Sequence, residues 1–308
     1  MTLALLFPGQ GSQHVGMGSA LAAGEPIASE IFAEADEILD FSLSALMLDG
    51  PIEELTETQN AQPALLAHSV AALRVLGMRN PTAMSPAFGA GHSLGEFSAH
   101  VAAGTVTFAD ALRAVRLRGE LMSEAGKDRP GTMAAILGLS ASDVREVCDQ
   151  VSRGVCVPAN FNSAGQIVIS GDLSGVEEAI VLAKEAGAKR AVQLNVSGAF
   201  HSPLMEPAAE ELKAFLDGME FSDPEFPVIA NATADPVTTG EQARTLLVRQ
   251  LVSPVRWTES IKLMTSSGVD RFLEIGSGKV LTTLNRRNAR GLQSSALGEP
   301  EDFNNLEV

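Results

Sequence analysis

"FGAGHSLGEFSAHVAAG", residues 88–104, decides how the chain is read. It sets Ser93 within Gly91-His92-Ser93-Leu94-Gly95, after a short small-residue segment and before a run of helical character. A strand, a serine and then a helix, with glycine two positions to either side, is the pattern of a sharp turn. Such a turn exposes the hydroxyl beside the free N–H groups of a helix start, where an oxyanion can be held. Residues 86–91 make a weak strand by composition, because Gly89 and Gly91 are poor strand formers. The plain alternative is a glycine-rich turn whose serine only caps the helix.

Outward from this turn the chain alternates between strand and helix. "LALLF" (3–7) reads as a buried strand that ends at Pro8 and a glycine loop. Helical patterns follow over 27–48 and 62–76, and a clearer helix runs from Thr107, its N-cap, to about Ser123. The middle of the chain has its own order: strand 131–140, helix 141–151, strands 155–163 and 165–172, helix 173–187 and strand 188–196. This βαββαβ order is ferredoxin-like. Since α/β patterning resumes afterwards, it reads as a small domain, 129–197, inserted into a large one formed by 1–128 and 198–308. The second half of the large domain reads as helix 203–218, strand 226–233, helices 240–251 and 257–268, strand 271–276 and helix 278–288. The tail after Gly291 is polar and reads as loose.

The composition, 308 residues with 45% hydrophobic and 19% charged, suits a soluble globular protein of one large or two smaller domains with a proper core. The net charge of −16 argues against a general nucleic-acid binder, which would carry a basic stripe. Cys148 and Cys156 are the only cysteines; they imply no disulfide framework and no zinc pattern, and fit a reducing compartment. "MTLALLFPGQG" has no basic region before its apolar run and no cleavage site after it, so it reads as a strand and not as a signal peptide. No apolar run reaches the ~20 residues of a membrane span. A cytoplasmic location is expected.

A serine nucleophile needs a base, and the chain has five histidines. His92 adjoins the serine on the turn and should point elsewhere. His68 lies inside an apolar helix, and His100 stands about two helical turns beyond Ser93. His14, in the first loop, stays open. His201 is favoured: it follows a strand and a loop in "NVSGAFHSPLM" and lies 108 residues after the serine, in the chain order of α/β-hydrolase-type enzymes. In helix 107–123, Phe108, Ala111, Leu112, Val115, Gly119 and Met122 form one stripe, and Arg118 lies at its edge. An arginine aimed there is either held in a structural salt bridge or serves a ligand carboxylate.

Taken together, "FPGQGSQ" (7–13), "TQNAQPALLA" (58–67), "GHSLGE" (91–96), "RLRGELM" (116–122), "NFNSAGQIVISG" (160–171), "GAFHSPLM" (198–205) and "LVRQLVSPVRW" (247–257) carry a resemblance over almost the whole chain. It resembles the acyltransferase family of fatty acid and polyketide synthesis, which includes the malonyl-CoA:acyl-carrier-protein transacylases. The resemblance implies an α/β-hydrolase-like large domain with an inserted ferredoxin-like small domain. It implies Ser93 as nucleophile, His201 as base and Gln250 in the place of a triad acid. The N–H groups of Gln10 and Leu94 would form the oxyanion hole, and Arg118 would anchor the malonyl carboxylate. Met122 and Asn162 would line the cleft. Phe200 resembles the residue before the base in malonyl-selecting domains, or is ordinary packing. The implied substrates are malonyl-CoA and the phosphopantetheine of acyl carrier protein, with no cofactor or metal and a monomer expected. Phe97, Ala164 and Ser277 depart from the family's common Tyr, Pro and Pro, all away from the catalytic positions.

Carrier proteins are generally acidic, as this chain is, so docking needs local positive charge. Lys189, Arg190, Lys279, Arg286, Arg287 and Arg290 are the candidates, against the ordinary fate of a solvated surface charge. Two rivals remain open at this level: a serine esterase or thioesterase using Asp172, Asp223 or Asp235 behind His201, and a non-catalytic carrier-binding scaffold.

Overall fold

A strand that is apolar on both faces belongs inside a sheet covered on both sides. In the computed structural model, which describes residues 2–304 and Leu306, the "LALLF" strand lies there. Among these residues the strands are β1 (Leu3–Phe7), β2 (Phe88–Gly91), β3 (Gly131–Leu137), β4 (Cys156–Ser163), β5 (Gln166–Asp172), β6 (Arg190–Gln193), β7 (Val228–Ile229), β8 (Pro236–Val237), β9 (Arg271–Ile275) and β10 (Gln293–Leu297). The helices are α1 (Ser19–Gly24), α2 (Pro26–Leu39), α3 (Leu43–Asp49), α4 (Ile52–Thr56), α5 (Thr58–Arg79), α6 (Gly95–Ala102), α7 (Phe108–Asp128), α8 (Ala141–Asp149), α9 (Leu173–Glu185), α10 (Glu206–Asp217), α11 (Gly240–Gln250), α12 (Trp257–Ser266), α13 (Val280–Asn288) and α14 (Pro300–Asn304).

The large sheet runs β10-β9-β1-β2-β7-β8, parallel except for the last pair. Leu5 and Phe7 of β1 enter the core built with α2, α5 and α7, while Ala4 and Leu6 enter a second core with Trp257, Ile261 and Phe272. Pairing of Phe7 with Gly91 brings the loops after β1 and β2 side by side at the carboxyl ends of the strands. In open parallel sheets, that is where ligands bind.

The second sheet runs β4-β5-β3-β6, all antiparallel, which is the ferredoxin-like arrangement. Alternate residues Ala134, Ile136, Ile167 and Ile169 pack with α8 and α9 in a separate core, while Met133 and Val168 face the other way. Val255 binds across to β4: its N–H donates to Ala159 O (2.8 Å), and its carbonyl accepts from Phe161 N–H (2.9 Å). This stitch holds the small sheet over the carboxyl ends of the large one.

Several readings change. The tail after Gly291 is not loose: Gln293–Leu297 pairs in parallel register with β9. Its polar residues suit an edge strand, and its signal lies in the partner, not in its own sequence. The helical run 27–48 is broken at Asp40, which takes φ 56°. The strand expected over 226–233 shrinks to Val228–Ile229, and helix 203–218 begins as a 3-10 turn, Pro203–Met205, ahead of α10. Thr107 does cap α7, its side chain accepting from Asp110 N–H.

Candidate active site

The chain leaves β2 at Gly91 and enters α6 at Gly95, and the turn between them is tight. A Cβ on Gly91 would stand 1.8 Å from Gly95 O, and one on Gly95 would stand 2.2 Å from Phe7 O. Only hydrogen fits at either place. Ser93, at the apex, takes φ 52°, a left-handed conformation that costs a non-glycine residue about 1–3 kcal/mol. Asn231, just past β7, clamps the strained turn. Its Oδ1 accepts from Ser93 N–H (2.7 Å) and its Nδ2 donates to Gly91 O (2.7 Å).

His201 also has a left-handed φ, 58°, and is buried. Its Nε2 lies 2.8 Å from Ser93 Oγ. Its Nδ1 lies 2.9 Å from the main-chain carbonyl of Gln250, which can only accept. Nδ1 therefore carries the hydrogen, leaving Nε2 free to take the serine's proton. The orienting bond to His201 thus comes from the main chain of Gln250, not from its side-chain amide. Burial, and then the positive charge of Arg118, lower the imidazole pKa to about 3, so the ring is neutral.

Arg118 is wholly buried. Its Nη1 donates to Gln62 Oε1 (2.6 Å), and its Nη2 donates to Gln250 Oε1 (2.9 Å) and Ser93 Oγ (3.2 Å). Helices α5 and α7 approach closely enough for this because Gly119 has no Cβ, which would stand 2.6 Å from Gln59 Cα. Burial lowers the guanidinium pKa to about 10, opposed by the charge of Glu96; it stays ionised. Glu96, on the first turn of α6, has no exposure. Its Oε2 accepts from Gln250 Nε2 (2.6 Å) and from Asn231 N–H (3.0 Å). Burial raises its pKa to about 7, against those two bonds and the Arg118 charge.

These groups open on a cleft of about 250 Å³ between the two sheets. Gln10, His92, Met122, Asn162 and Phe200 line it together with Ser93 and His201. His92 points away from the serine, as expected: its ring meets Asn162 Oδ1 (2.8 Å) and tilts against Trp257. Met122 Sδ accepts from Gln62 Nε2 at 3.5 Å. The N–H groups of Gln10 and Leu94 donate to no protein acceptor among the described residues.

The other histidines are elsewhere. His14 lies near Ser12 O and Ser277, His100 bonds Thr105, and His68 is buried in α5. None of the esterase carboxylates faces His201: Asp172 accepts from Val155 N–H, Asp223 accepts from Gly240 N–H, and Asp235 is exposed. Among the described residues, no group of three or more His, Cys, Asp or Glu could hold a metal ion. No helix of the described residues is long and apolar enough to cross a membrane.

Sequence reasoning assigned no role to Gln62, Glu96 or Asn231. Glu96 and Gln62 each stand as a polar residue inside a buried apolar helix, and that signal was available. Asn231, in "VIANAT", gave none.

The model of the acyl transferase domain family matches residues 4–298. The chain is 50% identical over 301 residues to the malonyl CoA-acyl carrier protein transacylase of Bacillus subtilis (strain 168), covering 97% of this chain and 94% of that one. It is 48% identical over 298 residues to the protein of the same description from Escherichia coli (strain K12), covering 96% of each. A crystal structure of an acyl carrier protein S-malonyltransferase from Vibrio cholerae superposes with a TM-score of 0.95, at 45% identity over the whole of both chains. A malonyl-transacylase solved in complex with its type II PKS acyl-carrier protein gives 0.94 at 45% identity over 98% of each.

Proposed function

The chain belongs to the acyl transferase domain family, and from that premise we propose that it moves malonyl from malonyl-CoA to the phosphopantetheine thiol of acyl carrier protein, through a malonyl ester of Ser93. It is an acyltransferase that supplies extender units for fatty acid synthesis. One observation carries the assignment of residues: a serine hydroxyl 2.8 Å from a neutral imidazole nitrogen and 3.2 Å from a buried guanidinium.

In the first half-reaction His201 Nε2 takes the Ser93 proton while Oγ attacks the thioester carbonyl. The oxyanion sits against the N–H groups of Gln10 and Leu94, which donate to no protein acceptor among the described residues. The CoA thiolate then leaves, taking the proton from His201. In the second half-reaction the carrier thiol gives its proton to His201 and attacks the ester, and Ser93 leaves protonated. A main-chain carbonyl behind His201 stabilises an imidazolium less than a carboxylate does. That favours a thiol, with a pKa near 8.5, over water at 15.7.

Arg118 selects acyl groups that bear a carboxylate. An acetyl group brings no carboxylate to the guanidinium, whose charge then stays set against an imidazolium at His201. Phe200, buried beside the cleft, limits the width of the acyl group and so opposes branching.

Acyl carrier protein approaches over α13. Leu281 and Leu284 of this helix line the cleft, Asn288 Nδ2 donates to Asn162 O (2.8 Å), and Arg286 and Arg287 are exposed. Lys189 and Arg190 stand exposed near Arg287 around a neighbouring hollow and extend the positive surface. We take the small domain as residues 129–197, supported by its separate core, and the protein as a monomer. The location is the cytoplasm: two free thiols with sulfurs 4.0 Å apart fit a reducing compartment.

The test is intact-mass analysis after brief mixing with malonyl-CoA or acetyl-CoA, with parent and Ser93→Ala. A malonyl adduct on the parent alone, discharged faster by holo carrier protein than by water, supports the reading. No adduct, or discharge by water at the same rate, returns the esterase or the scaffold.

A further inference from the structure

Glu96 sits behind the reacting atoms. Its Oε2 takes two donors, the Gln250 amide and Asn231 N–H, while Oε1 is buried without a hydrogen-bond partner among the described residues. Through these bonds it touches every arm of the site. Gln250 offers its carbonyl to His201 and its Oε1 to Arg118, and Asn231 holds the Ser93 turn. A carboxylate with one oxygen orphaned in a fully buried place is retained only where a positive charge answers it. Helix α6 packs against β1, β2, β7, α5, α7 and α11. Of the titratable and charged groups on these elements, Arg118 of α7 is the one whose charge acts on Glu96. On α6 itself, His100 is neutral, its pKa lowered to about 3 by burial.

In the empty site one guanidinium therefore answers one carboxylate. An acyl carboxylate seated on Arg118 makes two carboxylates against one guanidinium, with Glu96 and Arg118 both fully buried. We propose that Glu96 is a positioning residue whose proton follows acyl occupancy: it is a carboxylate while Arg118 holds no acyl carboxylate, and a carboxylic acid once one is seated there. The proton comes from solvent and goes to the orphaned Oε1, while Oε2 keeps both of its donors. The geometry of Gln250, and through it of His201, is thus unchanged between the two states. The inference rests on the reading of Arg118 as the acyl-carboxylate anchor.

The acyl transfer itself exchanges a thioester for an ester and frees a thiol, so below the thiol's pKa it takes up no proton. Any uptake belongs to the protein. The carboxyl, poised at about 7 in the free site, is mostly ionised at pH 7.5. Full conversion there takes up a measurable fraction of a proton per site, and at most one. The experiment mixes parent, Glu96→Gln and Ser93→Ala with malonyl-CoA in weakly buffered solution with an indicator dye, alongside intact-mass analysis. Expected are uptake by parent and by Ser93→Ala, none by Glu96→Gln, and none by parent with acetyl-CoA. Parent that malonylates without uptake, or Glu96→Gln that takes up as much as parent, overturns the inference. Parent that does not malonylate at all overturns instead the reading on which it rests. Should Glu96→Gln fail to fold, infrared difference spectra of the parent decide the matter. A protonated-carboxyl band appearing with malonyl-CoA and absent with acetyl-CoA supports the proposal, and its absence with both refutes it.

Discussion

Replacing Arg118 by alanine separates selection from catalysis. The guanidinium makes three hydrogen bonds, to Gln62, Gln250 and Ser93, and has no exposure. A buried hydrogen bond to a charged partner contributes about 1.5–3 kcal/mol, and a malonyl carboxylate held by the fork makes two. After allowing for imperfect geometry, about 3–4 kcal/mol of malonyl binding should vanish, a 10²–10³-fold fall in kcat/KM. Acetyl transfer never used that pairing. It should hold or rise slightly, because the charge that depresses His201 is gone. Initial rates of transfer to holo carrier protein from the two donors give the ratio directly. Loss of malonyl preference by 10²-fold or more, with acetyl transfer kept, fits. Equal falls for both donors would mean that Arg118 only holds the site together, and the selection argument would fail. Folding is checked alongside, since the substitution also strips Glu96 of its counter-charge.

Asn231→Ala removes two bonds of 2.7 Å from the serine turn. At about 1 kcal/mol each, kcat should fall roughly 10- to 30-fold with KM little changed; wild-type kcat would show that the turn holds its strain unaided. Arg286→Glu with Arg287→Glu should slow transfer to carrier protein, most steeply at low salt, and leave hydrolysis of the malonyl ester unchanged. Equal transfer rates would remove α13 from the docking surface. His68 is buried with both ring nitrogens unpartnered among the described residues, and burial lowers its pKa to about 4. The unfolded chain therefore binds more protons between that value and 6.5, and stability is full above pH 6.5 and falls as pH drops. The loss from this residue is about 2 kcal/mol by pH 5. Urea unfolding of His68→Leu at pH 7.5 and 5 should show a shallower loss than parent, and parallel losses would refute the assignment.

Much of this protein is written locally. The period-two and period-3.6 patterns over 131–196 specify a βαββαβ unit because alternation and helical stripes depend on neighbours a few residues apart. The glycines around Ser93 and the inward placement of Arg118 are equally local, one set by a turn that admits no Cβ and the other by helical phase. What the sequence could not settle is held by contacts that span the chain. "QSSAL" becomes a strand only because β9 offers it a parallel edge. The Gln250 carbonyl, not its amide, meets His201 because of how α11 ends against that loop. Gln62 meets Arg118, Asn231 meets Ser93 and Glu96 meets Gln250 across sequence separations of 56, 138 and 154 residues. Local sequence shows of Glu96 and Gln62 only that a buried charge or amide needs a partner, and the packing of distant elements supplies which one.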